Sequence, residues 1–144
     1  MLQFKEAGML REHLDTFTKQ FELGPYIKEG TSFIIIEIDS ETKLIFEELD
    51  SGFRISAKII LLPADKREDL LMVLMSANFI GQGTGGSTIS LDSEEKFLTL
   101  SATFTYDMNY KAFTELIEDF VNYLDYWKAE IIRYQKQNEQ SIFS

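Results

Sequence analysis

The chain has no cysteine. No disulfide can hold its fold and no thiolate is available to a metal, a composition that suits a reducing cytosol. Proline occurs only at 25 and 63, and histidine and tryptophan once each, at His13 and Trp127. The N-terminal residues, Met1-Leu2-Gln3-Phe4-Lys5-Glu6, lack the basic segment and apolar run of a signal peptide. The longest apolar stretches, Phe33 to Ile36 and Ile59 to Leu62, fall far short of the roughly 20 residues that a membrane span needs. Basic residues are also scarce: 14 Lys and Arg face 24 Asp and Glu, for a formal charge of −10 and a pI of about 4.5. A field of that sign repels phosphate backbones and anionic lipid surfaces, which disfavours nucleic acid and membrane as partners. The acidity serves solubility alone on one reading and suits a partner of basic character on the other. What the chain does have is bulk for a core, with 44% apolar residues including twelve Phe and six Tyr. At 144 residues this predicts one compact domain over 1–144, with 133–144 as a polar tail.

Residues 4–22 read as a helix, because Leu10, Leu14, Phe17 and Phe21 keep a 3.6-residue period while Arg11, Glu12, Asp15 and Lys19 take the other side. Leu23-Gly24-Pro25 is the expected stop. Three strands are predicted next, at 32–38, 43–49 and 53–62, separated by the polar turns at 39–42 and 50–52. The first is apolar on both alternating faces, with Phe33 and Ile35 on one and Ile34, Ile36 and Ile38 on the other. Such a strand has to be covered on both sides, within the subunit or by a partner. Pro63 closes the third strand, and Asp65 with Glu68 forms a capping box that opens a helix to about Asn78. A glycine-rich run at 81–86 follows, then strands at 88–91 and 96–104 and a last helix from Asp107 or Asn109. That helix presents Phe113, Leu116, Ile117, Phe120, Leu124, Trp127 and Ile131 on one broad face. The order α-β-β-β-α-β-β-α predicts an α+β domain, a twisted antiparallel sheet packed against helices.

The sequence offers little catalytic chemistry. His13 has no Cys or second His to share a metal, and metal sites want three or four converging ligands. The glycines at 81–86 follow a helix and precede a strand, the reverse of a phosphate-binding loop, and no lysine comes after them. Glu47 and Glu48 are strand neighbours that point to opposite faces, so they cannot form an acid–base dyad. Glu94-Glu95 lies in a turn, and no serine sits in a motif that would supply it with a base. These features point away from an enzyme, with neither metal nor cofactor expected, and toward a binding protein.

The segment from Leu70 to Asp92 resembles the central block of class I type III secretion chaperones, the Tir-chaperone family. It has a Leu-rich helix reaching Ala77-Asn78, the glycine-rich connection at 81–86, and a short strand ending in Leu91-Asp92. The strand with Leu98 and Leu100, the closing helix with Phe113, Leu116, Phe120 and Trp127, and the element order match the family's layout too. The resemblance covers nearly the whole chain, with its specific part at about 70–104. It implies a protein of the bacterial (Gram-negative) cytosol, without ATP hydrolysis or cofactor, that binds an extended, N-proximal segment of a secreted effector and keeps it competent for export. The residues it points to for that segment are Leu10, Leu14, Phe33, Ile34, Ile36, Ile38, Leu44 and Phe46. It also implies a dimer through the second helix and adjacent strand, which by position means Leu71, Met75, Phe79, Ile80, Ile89 and Leu91. Homodimer and heterodimer with a second chaperone both stay open. The competing reading is a regulatory or adaptor domain of the same fold, which binds a folded protein and has no part in secretion.

Overall fold

The computed structural model describes residues 2–30, 32–64, 67–80 and 87–143. Three helices and six strands follow in chain order: α1 (Leu2–Gln20), β1 (Ile27–Glu29), β2 (Phe33–Glu37), β3 (Lys43–Glu48), β4 (Gly52–Leu61), α2 (Arg67–Ile80), β5 (Thr88–Leu91), β6 (Phe97–Thr105) and α3 (Tyr110–Phe143). The strands form one sheet in the order β1-β2-β3-β4-β6-β5, and the pairs β1–β2, β2–β3 and β3–β4 are antiparallel. This is the expected α+β arrangement with one strand more. Asp65 and the glycine-rich run at 81–86 lie outside the described residues, so the capping box and the connection are not described.

The chain divides into two compact units, residues 1–57 with 101–118 and residues 58–100 with 119–144. The core of unit 1 is aromatic. Phe113 is fully buried, with its ring centroid 6.2 Å from those of both Phe46 and Phe53 and 6.4 Å, edge-on, from that of Phe17. Leu10 and Leu14 on α1 complete this interior. Tyr106 is buried as well and donates its hydroxyl to the Leu49 carbonyl at 2.6 Å, which satisfies the one polar atom that its ring brings inside. Gly52, where β4 begins, is required by close approach: a Cβ there would overlap the carbonyl oxygen of Phe104. Unit 2 buries Leu70 and Leu74 of α2, Ile89, Leu98, Leu100, and the α3 residues Phe120, Leu124, Trp127 and Ile131.

Two local endings show the backbone chemistry. Asn109 caps α3, its side-chain oxygen accepting from the Ala112 amide at 2.8 Å. At the C-terminus of α1, Leu23 N–H bonds the Thr18 carbonyl and Glu22 N–H bonds that of Lys19, with Glu22 at φ +53°. This is a Schellman ending whose left-handed position is held by Glu22, two residues before the expected Gly24. Phe21 therefore falls outside the helix and is exposed, its ring against Phe17 at 4.7 Å. The polar stretch after Arg133 continues as helix to Phe143.

Candidate functional site

Period-2 alternation decides what unit 1 shows to solvent. On β2, Ile34 and Ile36 point inward and are buried. Phe33 and Ile35 point the other way; Phe33 is 41% exposed and Ile35 half-buried. The register sets Ile35 opposite Ile27 on one side and Ile45 on the other, and Ile45 opposite Ser56. Ile27, Ile35 and Ile45 thus make an apolar row across three strands, spanning about 10 Å at the usual strand spacing. Ile27, on the end strand of the sheet, is 52% exposed. Ion pairs flank the row: Glu47 with Arg54 at 2.7 Å beside Phe33, and Glu37 with Lys43 at 3.7 Å at the opposite end of the hairpin.

β1 is anchored from its N-terminal side. Tyr26 hydrogen-bonds Asp15 of α1, and that bond, with burial and the negative charge, pushes the phenol's pKa up, so the tie persists through neutral pH. Gly30 at φ +65° makes the turn toward β2. On α1, Arg11 forms a two-pronged pair with Glu48 at 2.8 and 3.2 Å, which strengthens the hold of its proton.

The eight residues expected for the effector segment divide sharply. Leu10, Leu14, Ile34, Ile36, Leu44 and Phe46 all lie together in the interior of unit 1, where they back the sheet. Ile38 is half-buried, and Phe33 alone stands on the open face. Ile27, Ile35 and Ile45, which make the row, are not among those eight residues. The signal for Ile35 was present in the two-faced apolar pattern of 33–38; Ile27 belongs to a strand of three residues, too short to register as one.

Unit 2 shows a second apolar surface, on α2. Met72 and Met75 are 68% and 67% exposed, Val73 is exposed, and Leu71 is half-buried. Of the residues expected at a dimer interface, Met75 is open, Leu71 and Leu91 are half-buried and Ile89 is buried; the side chains of Phe79 and Ile80 lie outside those described. A groove of about 220 Å³ lies nearby in the same unit, lined by Leu70, Val73, Leu74, Trp127, Ile131 and Tyr134, among others. In the β5–β6 turn, Asp92 accepts backbone N–H bonds from Phe97 and Lys96, and these hold its carboxyl below the usual range. His13 bonds the Met108 carbonyl through Nε2 at 3.1 Å and lies against the rings of Phe113 and Tyr110, a packed structural position. Among the described residues no group of three or more His, Cys, Asp or Glu is placed to hold a metal, and no helix is long and apolar enough to cross a membrane. The arrangement presents partly exposed isoleucines at a spacing fixed by strand register.

The sequence pattern of the Tir chaperone protein (CesT) family matches residues 13–128. A Chlamydia pneumoniae protein is 31% identical over 87 residues, 59% of this chain, and the match spans 65% of that relative's length. Among solved structures, the ExsC–ExsE complex gives a TM-score of 0.69 at 12% identity, over 83% of this chain and 91% of that one. The HopA1–SchA chaperone–effector complex gives 0.65 at 12%, over 84% and 94%. YbjN, described as a putative transcription regulator from E. coli, gives 0.62 at 10%, over 86% and 92%. At such identities these three likenesses are of fold.

Proposed function

The chain belongs to the Tir chaperone protein (CesT) family, and we propose that it binds an extended, N-proximal segment of a secreted effector in the bacterial cytosol. It keeps that segment competent for export by binding alone, without ATP hydrolysis and without a cofactor. The observation that carries this reading is the row Ile27–Ile35–Ile45 with Phe33 beside it, in which Ile27 and Phe33 are exposed and Ile35 and Ile45 half-buried. An extended segment suits such a face, because its alternate side chains all point to one side. The interior residues Leu10, Leu14, Ile34, Ile36, Leu44 and Phe46 support those strands from behind. The fold shared with a chaperone–effector complex supports the same reading.

A dimer formed through α2 belongs to this proposal, with Met72, Met75 and Leu71 as contacts and Leu91 beside them. Either a second copy or a different chaperone subunit fits such a surface. In that case Met72→Asp with Met75→Asp converts the dimer to monomer by light scattering.

The adaptor reading keeps one observation in its favour, the likeness to a structure described as a transcription regulator. Purification of the tagged chain from its native bacterium, followed by limited proteolysis and mass spectrometry, separates the two. The chaperone reading expects a secreted protein with a protected segment of several tens of residues near its N-terminus, lost on Ile35→Asp while the circular dichroism spectrum is unchanged. Recovery of a folded cytosolic partner alone would move the assignment to the adaptor. Undiminished capture by Ile35→Asp would remove this face from the site.

A further inference from the structure

We propose that β1 is a placeholder strand, which occupies the edge of the sheet in the free protein and gives it up to the extended segment that the chain binds. This rests on the effector-binding reading above and adds the step by which that site opens. β1 is lightly held. It ends the sheet and pairs with β2 over three residue pairs, and Ile27 and Lys28 are both exposed, so burial adds little to its grip. Tyr26, just before it, adds one hydrogen bond to Asp15 of α1. Gly24 precedes it and Gly30, at φ +65°, follows, so the backbone can turn at both ends. β2 is held differently, with Ile34 and Ile36 buried and five residue pairs to β3.

The backbone of β2 offers a guest more than β1 takes. Ser32 accepts from Glu48 and Ile38 donates to Thr42, both on the β3 side. Antiparallel strands alternate the direction of these bonds, so Phe33, Ile35 and Glu37 turn their N–H and C=O groups to the β1 side. β1 meets Phe33 with Glu29 and Ile35 with Ile27. The same register brings Pro25 opposite Glu37, and proline has no N–H to give. β1 therefore stops short of the end of β2. An extended segment without proline pairs along the whole of Phe33–Glu37, and its central outward side chain takes the place of Ile27 opposite Ile35. A β-branched residue fits there, beside an isoleucine in the same register. Such a guest lies along the strands and sets one side chain in the isoleucine row, which crosses them.

The test reads, by anisotropy, the binding of a fluorescein-labelled peptide of about nine residues in which Val or Ile alternates with Thr between terminal lysines. A copy with proline at its centre is the control and is expected to bind far more weakly. Tyr26→Phe removes the bond to Asp15, and Gly30→Ala strains the left-handed turn. Each loosens β1 and is expected to tighten peptide binding about fivefold, because a larger share of molecules has the edge free. Pro25→Thr lets β1 pair further and is expected to weaken binding by about the same factor. Ile27→Cys with Ile35→Cys, a directly opposed pair in a chain with no other cysteine, locks β1 in place on oxidation. The oxidised form is expected not to bind, and its own reduced form to bind. Amide exchange adds a reading without ligand: Phe33 and Ile35, bonded to β1, should exchange more than about tenfold faster than Ile34 and Ile36, bonded to β3. Equal binding by the oxidised and reduced forms, unchanged or weaker binding by Tyr26→Phe and Gly30→Ala, or equal exchange at the four amides overturns the placeholder and leaves the sheet face as the effector site. Equal binding of the proline copy overturns it too, since the guest then does not pair through its backbone. If the peptide binds no form, this edge does not take an extended segment and the proposal falls. The capture from the native bacterium described above then decides separately whether effector binding stands.

Discussion

Units 1 and 2 both leave apolar side chains uncovered, yet the two surfaces differ in stiffness. Unit 1 exposes Ile27 and Phe33 and half-exposes Ile35 and Ile45, all on strands whose cross-strand register fixes their spacing. A β-branched side chain on a strand has little rotamer freedom left, so such a surface selects a pattern. Unit 2 exposes Met72 and Met75 on a helix. Methionine has three free torsions and a polarisable sulfur, so that surface can mould itself to what it meets. On the reading proposed above, the discriminating contact falls to unit 1, and unit 2 offers a surface that tolerates variation.

The contrast can be broken most severely from inside. Phe113→Ala removes the ring on which Phe17, Phe46 and Phe53 converge. It is expected to cost about 3–5 kcal/mol in urea unfolding and to abolish binding on the sheet face, since the row loses its backing. A smaller effect is expected from Gly52→Ala. The new methyl overlaps the Phe104 carbonyl oxygen, β4 has to shift at its start, and stability falls by about 1–3 kcal/mol by the same measurement.

Glu22→Gly sharpens the contrast in the other direction. It relieves the left-handed backbone at the end of α1 and is expected to raise stability by about 1 kcal/mol, with peptide affinity unchanged. The slightest effect concerns the β5–β6 turn of unit 2. Asp92 has a depressed folded pKa because the Phe97 and Lys96 amides bind its anion. Its contribution is therefore present above the ordinary carboxylate range and lost as pH falls through the lower folded value. Urea unfolding should show Asp92→Asn less stable than the parent at pH 6, with the difference shrinking toward pH 3. A gap that stays constant over that range would deny the carboxylate this role.

The long, periodic elements were legible before the structure. The inward face of α3 reads directly as Phe113, Ile117, Phe120, Leu124, Trp127 and Ile131, and all six are buried. The hairpins from β2 to β4 follow from alternation and polar turns. β1 was not legible, because three residues between Gly24-Pro25 and Gly30 give no period to read. The end of α1 misled for a physical reason: a Schellman turn tolerates Glu22 at positive φ when two backbone bonds hold it, so the nearby Gly24 was a false marker. The site was half legible. The double-faced apolar pattern of β2 announced an uncovered face, but which face the chain covers itself depends on where Phe113 and α1 come to lie, and that is a long-range fact. The register that aligns Ile27, Ile35 and Ile45 is likewise invisible without the pairing.

β1, three residues long, ends the strand order beside the isoleucine row. A sheet edge with an apolar flank is a template on which another strand of any origin can grow, including one from a second copy. Shortness is the first guard, since three residues offer few backbone groups to a newcomer. Mutual repulsion between copies is the second, and it fades near the pI of about 4.5, where the net charge cancels. This edge thus sets the colloidal limit of the protein: turbidity of concentrated samples should rise steeply as pH is lowered toward 4.5, and Ile27→Lys should suppress it.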